Sequence, residues 1–180
     1  MSKIIVTFDL WDTVFIDDSD ETDRKARGLA SKRDARRLLV FEALNENPGP
    51  HPPLPLREVQ IAYAATDAAY NRVWHAHAVT WTVPERLRVV LAGLGRELSA
   101  ARFAQLVRDH EDMELHLPPH LADGIVEAIE QLAPRYTLGI VSDTIFSPGR
   151  ALKEILRNYG LLQHFDAFAM LAEPQPHRLA

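Results

Sequence analysis

Two short apolar, β-branched runs, Ile4-Ile5-Val6-Thr7-Phe8 and Leu138-Gly139-Ile140-Val141, each stop abruptly at polar residues, and most of the chain between them repeats its apolar positions at helical spacing. The first run passes through Asp9 into Leu10-Trp11-Asp12-Thr13-Val14. Its β-branching predicts a strand buried on both faces of a parallel sheet. The C-terminal end of such a strand opens at the crevice where open α/β sheets bind ligands. A lone carboxylate there must be exposed or paired, because burying it unpaired is costly. Asp9 is therefore the first candidate for chemistry.

The intervening segment reads as a separate helical body. An acidic stretch over 17–23 followed by basic residues from Arg24 to Arg37 sets a boundary near residue 17. Ser31 is placed to cap a helix through Leu38, Leu39, Phe41 and Leu44, which the Pro-rich connector 45–53 must end. From about Pro55, Val59, Ala62, Tyr63, Thr66, Ala69, Tyr70, Val73, Trp74 and His77 recur at three-and-four spacing on one helix face, with His77 partly buried near its end. Thr82-Val83-Pro84-Glu85 is a capping box, and Ser99 caps a further helix carrying Phe103, Leu106, Val107 and His110. Four consecutive helices predict a small bundle.

Alternation then resumes. A helix is expected over 122–132, a strand over 136–141, a helix opened by Ser147-Pro148 and closed by Gly160, and a short strand over 166–171. The order predicts a doubly wound parallel α/β core, 1–16 and 121–180, with a helical insertion, 17–120, after its first strand.

Composition narrows the function classes. With 180 residues, 47% of them hydrophobic, the chain can form one cored domain with an insert. A formal charge of -5 gives no bulk attraction to nucleic acid or anionic membranes. The absence of cysteine removes disulfides and thiolate metal sites. Neither a secretory signal nor a membrane span is recognisable, so a cytoplasmic protein acting on a small molecule is expected. His75 and His77 point to different helix faces, and His110, His116 and His120 lack ligand spacing. Trp74, Trp81 and Tyr70 read as core.

The second strand also ends in polar residues, Ser142-Asp143-Thr144. As parallel neighbours, the strands would bring Asp9 and Ser142 to one sheet edge, where a carboxylate beside a hydroxyl could attack phosphorus or carbon. Phe8-Asp9-Leu10-Trp11-Asp12-Thr13-Val14, with Gly139-Ile140-Val141-Ser142-Asp143, resembles the haloacid dehalogenase superfamily of hydrolases, most of which are phosphatases. The resemblance covers about residues 1–168. It implies an inserted helical cap, Asp9 as a nucleophile forming an aspartyl intermediate, Thr13 as part of the first motif and Ser142 as a hydrogen-bond donor to the transferred group. Asp143 falls beside Ser142 at the substrate end, where loop capping is its other reading. The resemblance also implies Mg²⁺, held by the Asp9 carboxylate, the Trp11 backbone carbonyl and acidic residues of a later motif.

Three departures shape the expectation. The family's general acid/base stands two positions after the nucleophile, where this chain has Trp11, and Asp12 comes one position later. Family dehalogenases place an aromatic residue there, since a halide leaving group needs no proton, so the alternative to a Mg²⁺-dependent phosphatase is a dehalogenase. The expected Lys-Pro after the third strand is missing: Lys153 comes too early and Arg178 is followed by Leu179. The sequence stops at Ala180, before the later acidic motif and the last strands, which makes a truncated, frame-altered or non-catalytic member a third expectation. In the family's order the first strand is central, so an exposed hydrophobic edge is also expected.

Overall fold

The structure, a computed structural model, describes residues 4–46, 48 and 50–170. The chain divides into two compact units, 1–23 with 114–180, and 24–113. Sequence reading puts these boundaries at 16/17 and 120/121.

The first unit is built on three parallel strands in the order β1 (Ile5–Phe8), β2 (Thr137–Ser142), β3 (Ala167–Met170). Phe8 pairs in register with Ile140, and Ile140 with Phe168. Because paired residues of parallel strands share a face, Val6, Phe8, Leu138, Ile140, Phe168 and Met170 form one layer. That layer packs on Ile125 and Ile129 of α7 (Ile125–Leu132) and on Leu152, Ile155 and Leu156 of α8 (Gly149–Asn158). Gly124, at φ 74°, caps α7, and Pro148 stands at the N-cap of α8. Parallel strands in the order β1-β2-β3 need a crossover between each pair, and crossovers of one hand, the strong rule for such connections, put α7 and α8 on the same face.

Among the described residues no element covers the opposite face. Ile5 is 63% exposed and Val141 45%, with Ala167 and Ala169 also exposed. The expectation of a first strand buried on both faces is thus corrected. β1 lies at the edge of the sheet, and α7 and α8 cover only the face carrying Val6 and Phe8. The strand is also shorter than its apolar run, because the chain turns at Leu10. Leu171, the last residue of the expected third strand, lies outside the described residues.

In the second unit, α2 (Lys32–Asn45), α3 (Leu56–His77), α4 (Val83–Gly93) and α5 (Ala100–Glu111) form a ring in which α2 packs on α3 and α5, and α4 on the same two. Ser31 and Ser99 accept the N–H groups of Asp34 and Arg102, and Thr82 forms a capping box with Glu85. Asn45 fastens the Pro-rich connector to the end of α2: its side chain accepts from Leu54 N–H at 2.8 Å and donates to Leu54 C=O at 3.1 Å. Val59, Tyr63, Thr66 and Tyr70 are the buried face of α3, whereas Ala69 and His77 are exposed, which corrects the wider face and the partly buried histidine expected from spacing.

Two short helices were not anticipated. The acidic stretch read as a polar boundary forms α1 (Asp20–Ala26). Asp20, Glu21 and Asp23 in its first turn with Arg24 and Lys25 in its last complement the helix dipole, so a composition that reads as a linker also supports a helix. The other is α6 (Met113–His116).

Candidate active site

The geometry starts with how β1 ends. The Leu10 carbonyl accepts three N–H groups, from Thr13 at 3.4 Å, Val14 at 2.9 Å and Phe15 at 2.8 Å. Leu10, Val14 and Phe15 are fully buried, and the Trp11 ring packs on Phe15 with centroids 6.1 Å apart. Three core anchors therefore fix a tight turn directly after the strand, leaving Asp9, Asp12 and Thr13 exposed on its surface.

Register brings the second strand's hydroxyl to Asp9. Asp9 is one residue beyond Phe8, and Ser142 two beyond Ile140, the partner of Phe8. Ser142 Oγ, on a residue only 3% exposed, donates to Asp9 Oδ1 at 2.6 Å, and Leu10 N–H donates to the same oxygen at 2.7 Å. Both anchors hold one carboxylate oxygen. Oδ2 has no hydrogen-bond partner among the described residues and is the oxygen free to react.

Asp12 is used differently. It adopts φ 54°, a left-handed conformation that Asp tolerates through local hydrogen bonding, and its Oδ1 accepts from Asp17 N–H at 3.1 Å. The carboxylate closes the loop that follows β1. Thr13 contributes its N–H to the Leu10 turn, and Asp143 is half-buried. Lys153 lies on α8 with Nζ 4.9 Å from the centroid of the Phe168 ring, so its ammonium faces β3 through a cation–π contact. Arg178 lies outside the described residues.

The loop after β2 holds polar groups that sequence reading did not single out. Thr144 is buried and its hydroxyl has no partner among the described residues. Ser147, read only as a helix start, donates to the buried carboxylate of Glu114. The sequence signal for Thr144 was its place two residues after Ser142. Glu114 carried none, because its contact spans more than thirty residues of chain.

Asp9 and the Trp11 carbonyl are the donors that the family resemblance assigns to Mg²⁺. Among the described residues no group of three His, Asp or Glu side chains could hold a metal, so water and a substrate's oxygens would complete the shell of an ion held by these two donors, as is usual for Mg²⁺. His120 instead pairs through Nε2 with Asp23 Oδ2 at 2.8 Å, while its N–H donates to Ser19 Oγ. No helix among the described residues is long and apolar enough to cross a membrane.

No protein-family model and no curated protein matches the sequence. Solved structures do. A HAD phosphatase from Thermococcus onnurineus aligns at 16% identity with a TM-score of 0.50, over 96% of this chain and 63% of its own. A 2-haloacid dehalogenase from Pseudomonas syringae aligns at 18% identity with the same TM-score, over 96% of this chain and 65% of its own. A magnesium-bound HAD hydrolase from Bacillus subtilis aligns at 18% identity with a TM-score of 0.48, over 94% of this chain and 66% of its own. The chain thus spans slightly under two thirds of the length of the structures it matches. It has the haloacid dehalogenase fold, an α/β core with a parallel sheet and a helical unit inserted after the first strand.

Proposed function

We propose that this chain carries the nucleophile of a hydrolase that cleaves a small phosphate ester through an aspartyl-enzyme intermediate. The observation that carries the reading is the 2.6 Å hydrogen bond joining Ser142 to Asp9 at the C-terminal ends of two parallel strands. With Oδ1 held by Ser142 and by Leu10 N–H, Oδ2 attacks phosphorus. The bond from phosphorus to the leaving oxygen breaks, and that oxygen takes a proton from water. A second water then attacks the aspartyl phosphate, releasing phosphate and restoring the carboxylate. Thr13 contributes to the turn that presents Asp9, Asp143 stands beside Ser142 at the substrate end, and the helical unit serves as the cap.

The test is hydrolysis of an aryl phosphate, with and without added Mg²⁺, combined with hydroxylamine trapping of the acyl phosphate. Turnover and trapping that both disappear in Asp9→Asn are expected. Turnover that survives the substitution would overturn the assignment.

A second reading, 2-haloacid dehalogenation, is favoured by Trp11 and by Asp12, whose carboxylate is committed to Asp17 N–H. Halide leaves without a proton, so the missing acid costs nothing. Oδ2 would attack the halogen-bearing carbon, halide would depart, and water at the Asp9 carboxyl carbon would release the hydroxy acid. Halide release without added metal selects this reading. A folded, monodisperse chain silent in both assays rejects both in favour of a non-catalytic protein.

A further inference from the structure

Helix α3 buries one face in its bundle and leaves another, apolar one uncovered. Glu58, Ala65 and Arg72 are spaced seven residues apart on a 22-residue helix, so they form a stripe along one side. Ile61, Ala62, Ala68 and Ala69 flank it. Of these seven residues only Ala62 is not exposed, and Ile61 is 58% exposed. Beside the stripe, Val89, Gly93 and Leu94 at the end of α4 complete a groove. Val89 is itself 41% exposed.

We propose that a second copy of this chain docks in this groove, with the two α3 helices antiparallel about a twofold axis at Ala65. A twofold interface must be self-complementary, each residue meeting the one equally far from the axis on the other side. About Ala65 that rule pairs Ile61 with Ala69, Ala62 with Ala68, and Glu58 with Arg72. The apolar positions meet one another, and an acid meets a base at both ends. Neither Glu58 nor Arg72 makes an ion pair with another described residue, so both charges are available. A parallel pairing would set Glu58 against Glu58 and Arg72 against Arg72, which like-charge repulsion disfavours. The alanines let two backbones approach closely, and Ile61 fills the space over Ala69. The same face supplies both halves of the charge match in the order that a copy of itself requires, and that selects a second copy over an unrelated partner.

Sedimentation equilibrium of the 180-residue chain over a wide concentration range tests the proposal, with circular dichroism verifying the fold of each variant. A monomer–dimer equilibrium is expected. Ala65→Arg, at an exposed helical site, is expected to weaken it by about a hundredfold or more, because two long cations would meet on the axis. Glu58→Arg should weaken it about tenfold, and adding Arg72→Glu should restore it, since the reversed charges again match. A wild-type monomer at every concentration overturns the proposal. So does a dimer indifferent to Ala65→Arg, or a double variant no tighter than Glu58→Arg alone.

Discussion

The interior of the α/β unit is largely hydrocarbon, with Ser142, Thr144 and Ser147 buried beside the end of β2 and Asp20 and Glu114 on α1 and α6, whereas the helical unit buries the long cations Lys32, Arg36 and Arg86 together with His110. The difference follows from where each architecture leaves space and unmet hydrogen bonds. A sheet pairs its backbone internally and packs flat layers of Leu and Ile, so polar side chains collect where the ladders stop. Ser142, Thr144 and Ser147 all lie in one short segment at the end of β2. A bundle instead offers aliphatic surface along which long cationic side chains lie while their heads find partners. Arg86 reaches Asp67 at 2.5 Å and its guanidinium lies 4.4 Å from the centroid of the Tyr70 ring. Polar burial therefore concentrates beside the end of β2 in one unit and runs along packed helices in the other.

The largest test of this contrast is Asp9→Asn. A rim residue that serves chemistry should lose on the order of 10³-fold or more in turnover. Its thermal midpoint should stay within about 2 °C of wild type, read by calorimetry, since the loss of one exposed anchor is small on the scale of a whole domain's unfolding enthalpy. A large drop in stability would mean that Asp9 is a structural residue and would break the comparison.

Next in size, Ile155→Ala removes a fully buried side chain from the hydrocarbon layer under β2. Denaturant unfolding should show a loss of about 2–5 kcal/mol.

The helical unit should respond to pH. His110 is buried, stacks on Tyr63 with ring centroids 6.2 Å apart, and places Nδ1 2.8 Å from the Leu106 carbonyl. Burial, reinforced by the nearby Arg36 and Arg86, lowers its pKa from 6.5 to about 4. Because the folded state resists protonation, its stabilising contribution is complete above pH 6.5 and is lost as pH falls from 6.5 toward 4. The loss amounts to about 3 kcal/mol at 1.36 kcal/mol per unit. His110→Phe should flatten the dependence of urea midpoints across that window, and an unchanged slope would remove His110 as its source. Burial moves Tyr63 in the complementary direction, up to about 12, so both members of the stack stay neutral at physiological pH.

The smallest effect is expected at a surface cap. Thr82→Ala deletes the hydroxyl that accepts the Glu85 N–H and donates to the Glu85 carboxylate, leaving the Thr82 N–H bond to that carboxylate, and should cost about 1 kcal/mol, measured as a shift in the urea midpoint.

Local signals in the chain were legible where one short segment carries them. The Ser31, Thr82 and Ser99 caps, the proline break after α2 and the β-branched runs each act within a few residues, and the elements they mark are present. The acidic stretch of α1 was not legible, because charges that solvate a linker also stabilise a helix N-terminus. Asp9 and Ser142 are candidates from their strand-end positions, and the family resemblance adds their roles. Their meeting depends on parallel register between segments 133 residues apart.

The sequence by itself determined the order of elements, the interruption after the first strand and the residue types able to do chemistry, since propensity, capping and periodicity are local properties of the chain. Only the tertiary structure decided that helices cover just one face of β1, that Asp12 turns to its own loop, and that Asp9 Oδ1 is held twice while Oδ2 has no hydrogen-bond partner among the described residues. Those outcomes depend on which surfaces two helices cover and which distant atoms a sheet register brings within hydrogen-bond reach, and no local pattern encodes either.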